Sequence, residues 1–209
     1  MKTLLTYLFF SFLVTLGCEA KAQDNCGYEV RYLGDQMAFY QGDSALTDFV
    51  FTEVAFFNEG YVWVNKGELY AYLDSDLNEI TPYIYTDVSE FENGLAIVSI
   101  DSSQSYQLID TKGHVLAAGY QRIKQCSAGY TTVLLNEKWG LLDPNGNAFI
   151  QPMYEHPLQL LEHQLLRACL KNKWGIIDLY GNVVVDFTYD LITPSLVGYP
   201  SGKKLVLPK

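Results

Sequence analysis

Basic residues and histidine are scarce in this chain. Fourteen Lys and Arg stand against 24 Asp and Glu, only three His are present, and the formal charge is −10. Such a surface repels phosphate backbones and carries no basic stripe, which argues against nucleic-acid binding and serves solubility instead. The histidines, His114, His156 and His163, have no His or Cys partner at the spacing of zinc ligands, so no metal is expected. A G-x-S-x-G elbow is missing, and no Ser or Cys can be set against a His and an acid as a hydrolytic triad requires. The histidines are therefore read as surface or packing residues, and neither catalytic residues nor a cofactor are expected.

Long apolar runs are also missing. The longest, residues 4–16, is broken by Thr6, Ser11 and Thr15 and falls short of the roughly 20 residues a membrane-spanning helix needs. With Lys2 before it and Ala20-Lys21-Ala22 after it, residues 1–22 read as an export signal cleaved after Ala22. An alternative is lipidation at Cys18, because Thr15-Leu16-Gly17-Cys18 is similar to a lipobox without its usual first leucine; only then is a membrane contact expected. The expected location is the periplasm, the cell surface or the medium, with a lipoprotein anchored through Cys18 as the alternative. Cysteine is sparse. Cys26, Cys126 and Cys169 survive cleavage, and an odd count leaves one unpaired in a monomer. A bridge between Cys126 and Cys169, or one using Cys26, stays open in an oxidising compartment. Their irregular placement also fits small buried hydrophobes.

What the chain does have is repetition. Lys138-Trp139-Gly140-Leu141-Leu142-Asp143 returns 35 residues later as Lys173-Trp174-Gly175-Ile176-Ile177-Asp178. An aromatic marker recurs at Phe51, Tyr85, Tyr120, Tyr154 and Tyr189, in steps of 34, 35, 34 and 35. A lead glycine recurs at Gly60, Gly94 and Gly129, with Gln164 in the fourth place. A fixed period in this range marks a repeat architecture. Within a unit, an apolar strand follows the lead glycine, and an aromatic-led strand follows that. A turn of Asp, Asn and Gly then reverses the chain onto a strand ended by proline, as at Pro152. This predicts about three short strands per unit. The best helix candidate, residues 157–163, is too short to stand alone.

Apparent chemistry dissolves on this register. Asp74-Ser75-Asp76-Leu77-Asn78 resembles the start of a calcium loop, but Glu79 and Tyr85 occupy the places of the required glycine and glutamate, and the segment aligns with the other turns. His114 falls in the turn position held elsewhere by Asn147 and Asn182. Asp186 and Asp190 could serve a glycosidase, but nothing in the sequence sets their separation. The repeated aromatics Trp139, Trp174, Tyr154 and Tyr189 are expected to fill a core. Lys138 and Lys173 are expected along an indole, and the glycine after each Trp is expected to admit a ring from the next strand.

The motif Lys-Trp-Gly-(Leu/Ile)-(Leu/Ile)-Asp, then x-x-Gly-Asn, a hydrophobic strand and Tyr-(Asp/Glu), resembles the WG-repeat proteins, also called KWG repeats. The likeness is close over 130–160 and 164–192, degenerate over about 57–124 and marginal over 36–56. Its motif positions here are Trp139, Gly140, Asp143, Gly146, Tyr154, Trp174, Gly175, Asp178, Gly181 and Tyr189. The resemblance implies an all-β tandem array of ~35-residue antiparallel hairpin repeats, open and solenoid-like. A small β-propeller is the alternative. One β domain is expected over 23–209, with units at about 36–56, 57–90, 91–125, 126–160 and 161–194 and a terminal strand in 195–209. The implied role is non-catalytic binding or scaffolding in the bacterial cell envelope, with a protein or an envelope glycan as partner. An envelope carbohydrate hydrolase and a purely structural spacer are the competing readings. Ligand contacts are expected where the repeat is broken, at His156, His163, Tyr199 and 101–107.

Overall fold

The computed structural model describes residues 27–101, 105–125, 129–161, 164–193 and 196–198. The export signal, Cys18, Cys26, Cys126, His163, Tyr199 and the end of the terminal strand lie outside them.

The described chain is all-β, and every strand pairing in it is antiparallel. Six small sheets follow one another along the sequence, and none closes into a barrel. The first sheet holds β1 (Glu29–Leu33), β2 (Gln36–Gln41) and β3 (Ser44–Ala45). The second holds β4 (Glu53–Val54), β5 (Val62–Lys66) and β6 (Leu69–Leu73). The third is a meander of β7 (Asp87–Val88), β8 (Leu95–Ser99), β9 (Tyr106–Asp110) and β10 (Val115–Tyr120). The fourth repeats it with β11 (Arg122–Gln125), β12 (Thr131–Leu135), β13 (Lys138–Leu142) and β14 (Ala148–Tyr154). The fifth does so with β15 (Gln159–Leu160), β16 (Leu165–Leu170), β17 (Lys173–Asp178) and β18 (Val183–Tyr189). A hairpin of β19 (Leu191–Thr193) and β20 (Leu196–Gly198) comes last.

Two expectations are corrected. The later units carry four strands, not three, because a short strand forms between each aromatic marker and the apolar strand that follows it, two residues after Tyr85 and Tyr120 and five after Tyr154. The helix candidate at 157–163 instead contributes β15, which pairs Gln159 with Arg167 and Leu160 with Leu166. Its apolar pattern is satisfied by the neighbouring sheet, so no helical turn is needed.

The core is divided into five small clusters, each between two consecutive sheets. Phe39, Phe51, Val62, Val64 and Leu73 join the first two, and Tyr72, Tyr85, Phe91, Ala96, Val98 and Ile109 join the second and third. Leu95, Leu108, Val133 and Leu142 link the third and fourth. Leu141, Tyr154, Leu166 and Ile177 are central to the next interface, and Ile176, Tyr189 and Ile192 to the last. This explains the paired aliphatics of the motif. Side chains alternate along a strand, so of two consecutive residues one faces the following sheet and the other the preceding one. Leu141 and Ile176 point forward, whereas Leu142 and Ile177 point back. Each of the four inner sheets packs on both faces against its sequence neighbours, and the first and last pack on one, the arrangement of a repeat array.

Candidate functional site

The site is built on one row of residues that crosses the first five sheets. In that row the residue at the Trp-Gly position, aromatic in all but the first sheet, lies opposite the aromatic marker. The five pairs are Met37–Phe51, Tyr70–Tyr85, Tyr106–Tyr120, Trp139–Tyr154 and Trp174–Tyr189. The markers Tyr154 and Tyr189 are buried, whereas Trp139 and Trp174 are half-buried at the rim of their clusters. The tryptophans therefore present part of each ring to the surface, unlike the core tryptophans expected.

Two further expectations change here. Lys138 does not lie on an indole; its Nζ pairs with Glu155 at 3.2 Å, the acid directly after Tyr154. Lys173 pairs in the same way with Asp190. The Lys-Trp and Tyr-acid halves of the motif are thus two neighbouring cross-strand pairs. The cation over Trp174 is Arg167, with Cζ 4.4 Å from the ring centroid. The glycine, in turn, makes room for backbone at both positions, and at Gly175 also for the expected ring from the next strand, Phe187. A Cβ on Gly140 would sit 2.5 Å from the Ile150 carbonyl oxygen, and one on Gly175 would sit 2.7 Å from that of Val185 and 2.9 Å from the Phe187 ring. The cause is a bulge. Between the Trp139–Tyr154 and Leu141–Ile150 pairs, one residue of β13 faces three of β14, and the slack chain folds over Gly140. The fifth sheet repeats this at Trp174–Tyr189 and Ile176–Val185.

The turns after β13 and β17 are held by Asp143 and Asp178. One Asp143 carboxylate oxygen accepts the N–H groups of Asn145 and Asn147, and the other accepts the Asn147 side-chain amide. Asp178 does the same with Tyr180 and Asn182. Asp74 repeats it with Asp76 and Asn78, and Asp110 with Lys112 and His114. Both oxygens of Asp74 are spent on its turn, so the calcium-like string is a turn. Gly146 and Gly181 take φ of +80° and +84°. Gly146 also abuts Leu116 of the preceding sheet, where a Cβ would come within 2.7 Å.

On the first strand of the sheets, the row changes sign between the third and the fourth. In the second sheet Tyr70 donates its hydroxyl to Glu53 at 3.0 Å, and in the third Tyr106 reaches Asp87 at 3.4 Å. In the fourth sheet the corresponding residue is Arg122, opposite Leu134, which is in turn opposite Trp139. An indole has no hydroxyl to give an acid, and here no acid is present. Arg122 and Lys124 share the exposed face of β11. They line a cleft of about 580 Å³ with Tyr106, Trp139 and Pro157. A second cleft, also about 580 Å³, continues from Lys124 and Pro157 to His156, Arg167 and Trp174. His156 stacks on Trp174 with centroids 5.2 Å apart, so this repeat-breaking residue belongs to the groove. Among the described residues Arg122, Lys124 and Arg167 form no ion pair, and no Asp or Glu lines either cleft. Arg167 donates to the Ile192 carbonyl, but its buried Nε has no partner, and burial pushes its pKa down. The acids Asp186 and Asp190 are exposed and lie outside both clefts. Cys169 is a free, buried thiol.

The profile of the WG-containing repeat matches residues 46–70, 70–102 and 174–195. The chain is a WG-repeat protein. The first two matches meet at Tyr70, where Tyr70-Ala71 stands in place of the Trp-Gly pair, so the repeat extends beyond its clearest copies. No curated protein sequence matches this WG-repeat protein. Solved structures similar to it include Hsv2 of Kluyveromyces lactis, 11% identical with a TM-score of 0.39 over 73% of this chain and 59% of that one. Virginiamycin B lyase from Staphylococcus aureus is 14% identical, with a TM-score of 0.35 over 68% and 55% of the two chains. The N-terminal domain of Nup159 is 18% identical, with a TM-score of 0.37 over 83% and 61%. The WG-repeat chain spans little more than half the length of each.

The groove was only partly visible in the sequence. His156 was singled out because it breaks the repeat. Arg122 and Lys124 were missed, although their signal was present: they stand directly after the marker Tyr120, where the preceding unit has Asp87.

Proposed function

We propose that this WG-repeat protein is a non-catalytic binding module of the cell envelope that holds its ligand in the groove between Tyr106, Trp139 and Trp174. The observation that carries the reading is the sign change on the first strand: acids that tie up the tyrosines in earlier sheets give way to unpaired cations beside half-buried tryptophans. The groove offers rings, cations and amides, which bind; no carboxylate lines it, and its one imidazole, His156, is stacked on Trp174 with no acid beside it in the cleft to orient it. Export, as the first 22 residues suggest, would place the module outside the cytoplasm.

The competing hydrolase reading rests on Asp186 and Asp190. Asp190 is engaged by Lys173 at the motif's cross-strand pair, which favours a structural role for it. The test is sedimentation of the purified chain with envelope material, together with sizing of the glycan before and after incubation. The expected outcome is retention without shortening, lost on Lys124→Glu and kept on Val183→Glu, a change on the exposed outer strand. Shortening that disappears on Asp186→Asn would overturn the binding reading.

A further inference from the structure

We infer that the groove takes an acidic polysaccharide whose sugar rings carry carboxylates, an inference that rests on the binding reading above. Charge gives the first argument. In a chain with a formal charge of −10, every cation has acids to choose from, yet Arg122, Lys124 and Arg167 converge on one groove and pair with none. A guanidinium is shaped to meet a carboxylate through two parallel hydrogen bonds, and Arg122 is free to do so.

Periodicity gives the second argument. The rings of Tyr106, Trp139 and Trp174 occupy the same row in three consecutive sheets. Sheets packed face to face lie roughly 10 Å apart, so the groove repeats a flat apolar platform at that step. A polymer of rings with one polar edge and one apolar face matches a periodic platform, whereas an acidic peptide has no repeating flat face to set against it. Hydroxyl recognition is supplied between the platforms. Gln121 and Gln159 are exposed at the rim, and an amide both donates to and accepts from hydroxyl groups. Trp139 occupies the middle of the row, and no ring or cation of the described residues is stacked on it, so it is the open platform. Trp174 is partly covered by His156 and Arg167 and forms the closed end.

The experiment titrates the full chain with three probes: oligomers of a homopolymeric uronic acid, the same oligomers with their carboxyls reduced to alcohols, and poly-glutamate of matched charge. The uronate oligomers are expected to bind, and to weaken as salt is raised. Binding of the other two probes is expected to be weaker by about tenfold or more, as is binding of uronate to Arg122→Glu/Lys124→Glu. Both substituted residues are exposed, and an unchanged melting temperature verifies the fold; if the double variant melts early, Lys124→Glu alone carries the test. Equal binding of the reduced oligomers would overturn carboxylate recognition. Equal binding of poly-glutamate would overturn the carbohydrate class in favour of an acidic protein. If the uronate fails to bind while Lys124→Glu still abolishes retention by envelope material, the ligand class falls and the binding module stands.

Discussion

Glycine at the Trp-Gly position of the fourth and fifth sheets lies directly under the bulging outer strand. A Cβ on Gly140 or Gly175 would meet a carbonyl oxygen at 2.5 Å or 2.7 Å, whereas Ala38 and Ala71 hold a fully buried Cβ at the same position of the first two sheets. Gly140→Ala is therefore expected to destabilise the protein by about 1–3 kcal/mol, an overpacking cost, in chemical denaturation. Gly175→Ala is expected to behave alike, and an unchanged midpoint for both would contradict the bulge account. The lead position has the opposite potential. Gly60, Gly94 and Gly129 take φ of +82°, +75° and +75°, and exposed Gln164 is forced to +59°. Relieving that strain outweighs the looser unfolded chain, so Gln164→Gly should raise stability by about 0.5–1 kcal/mol. The sequence exposed both positions through their period. It did not show what the glycines avoid, because a bulge is a property of the partner strand.

At the scale of the element, the Asp turn is the part most sensitive to pH. In Asp74, Asp110 and Asp143 burial alone would raise the carboxyl, but donors from the turn outweigh it and the net pKa is lowered. In Asp178 the Asn182 side-chain amide leads the lowering. A carboxyl held below its ordinary value of 3.8 contributes stability that is complete above that value. The contribution is lost as the pH falls through the lowered values. The melting temperature should therefore fall below about pH 4. Asp143→Asn should flatten that fall while costing about 1 kcal/mol at neutral pH through its weaker acceptor. A melting temperature equally steep in the variant would contradict the role given to this turn. Turn, hairpin and marker were all legible in the sequence because each depends on local chemistry. The fourth strand was not, since a strand of two to four residues depends on its neighbour and leaves no pattern of its own.

At the scale of the molecule, stability is shared among five interfaces between consecutive sheets, so a core deletion acts locally. Leu141→Ala is expected to cost about 2–5 kcal/mol and to loosen amide exchange in the fourth and fifth sheets before the first two. Uniform loosening would argue for one undivided core. The array could be read from the 35-residue period, since nearest-neighbour packing repeats whatever pattern serves one interface. The groove could not, because it arises where the repeat keeps its geometry and changes its chemistry, from Tyr106 with Asp87 to Trp139 with Arg122. The most direct test of that groove is intrinsic fluorescence during titration with a uronic-acid oligomer, comparing the native chain with Trp139→Phe and Trp63→Phe. Trp63 packs edge-on against Tyr70 in the second sheet, away from the clefts. The account predicts a saturable change in the native chain and in Trp63→Phe that is reduced in Trp139→Phe to the part carried by Trp174 at the closed end of the groove. A change that survives Trp139→Phe and vanishes with Trp63→Phe would place the ligand elsewhere and contradict it.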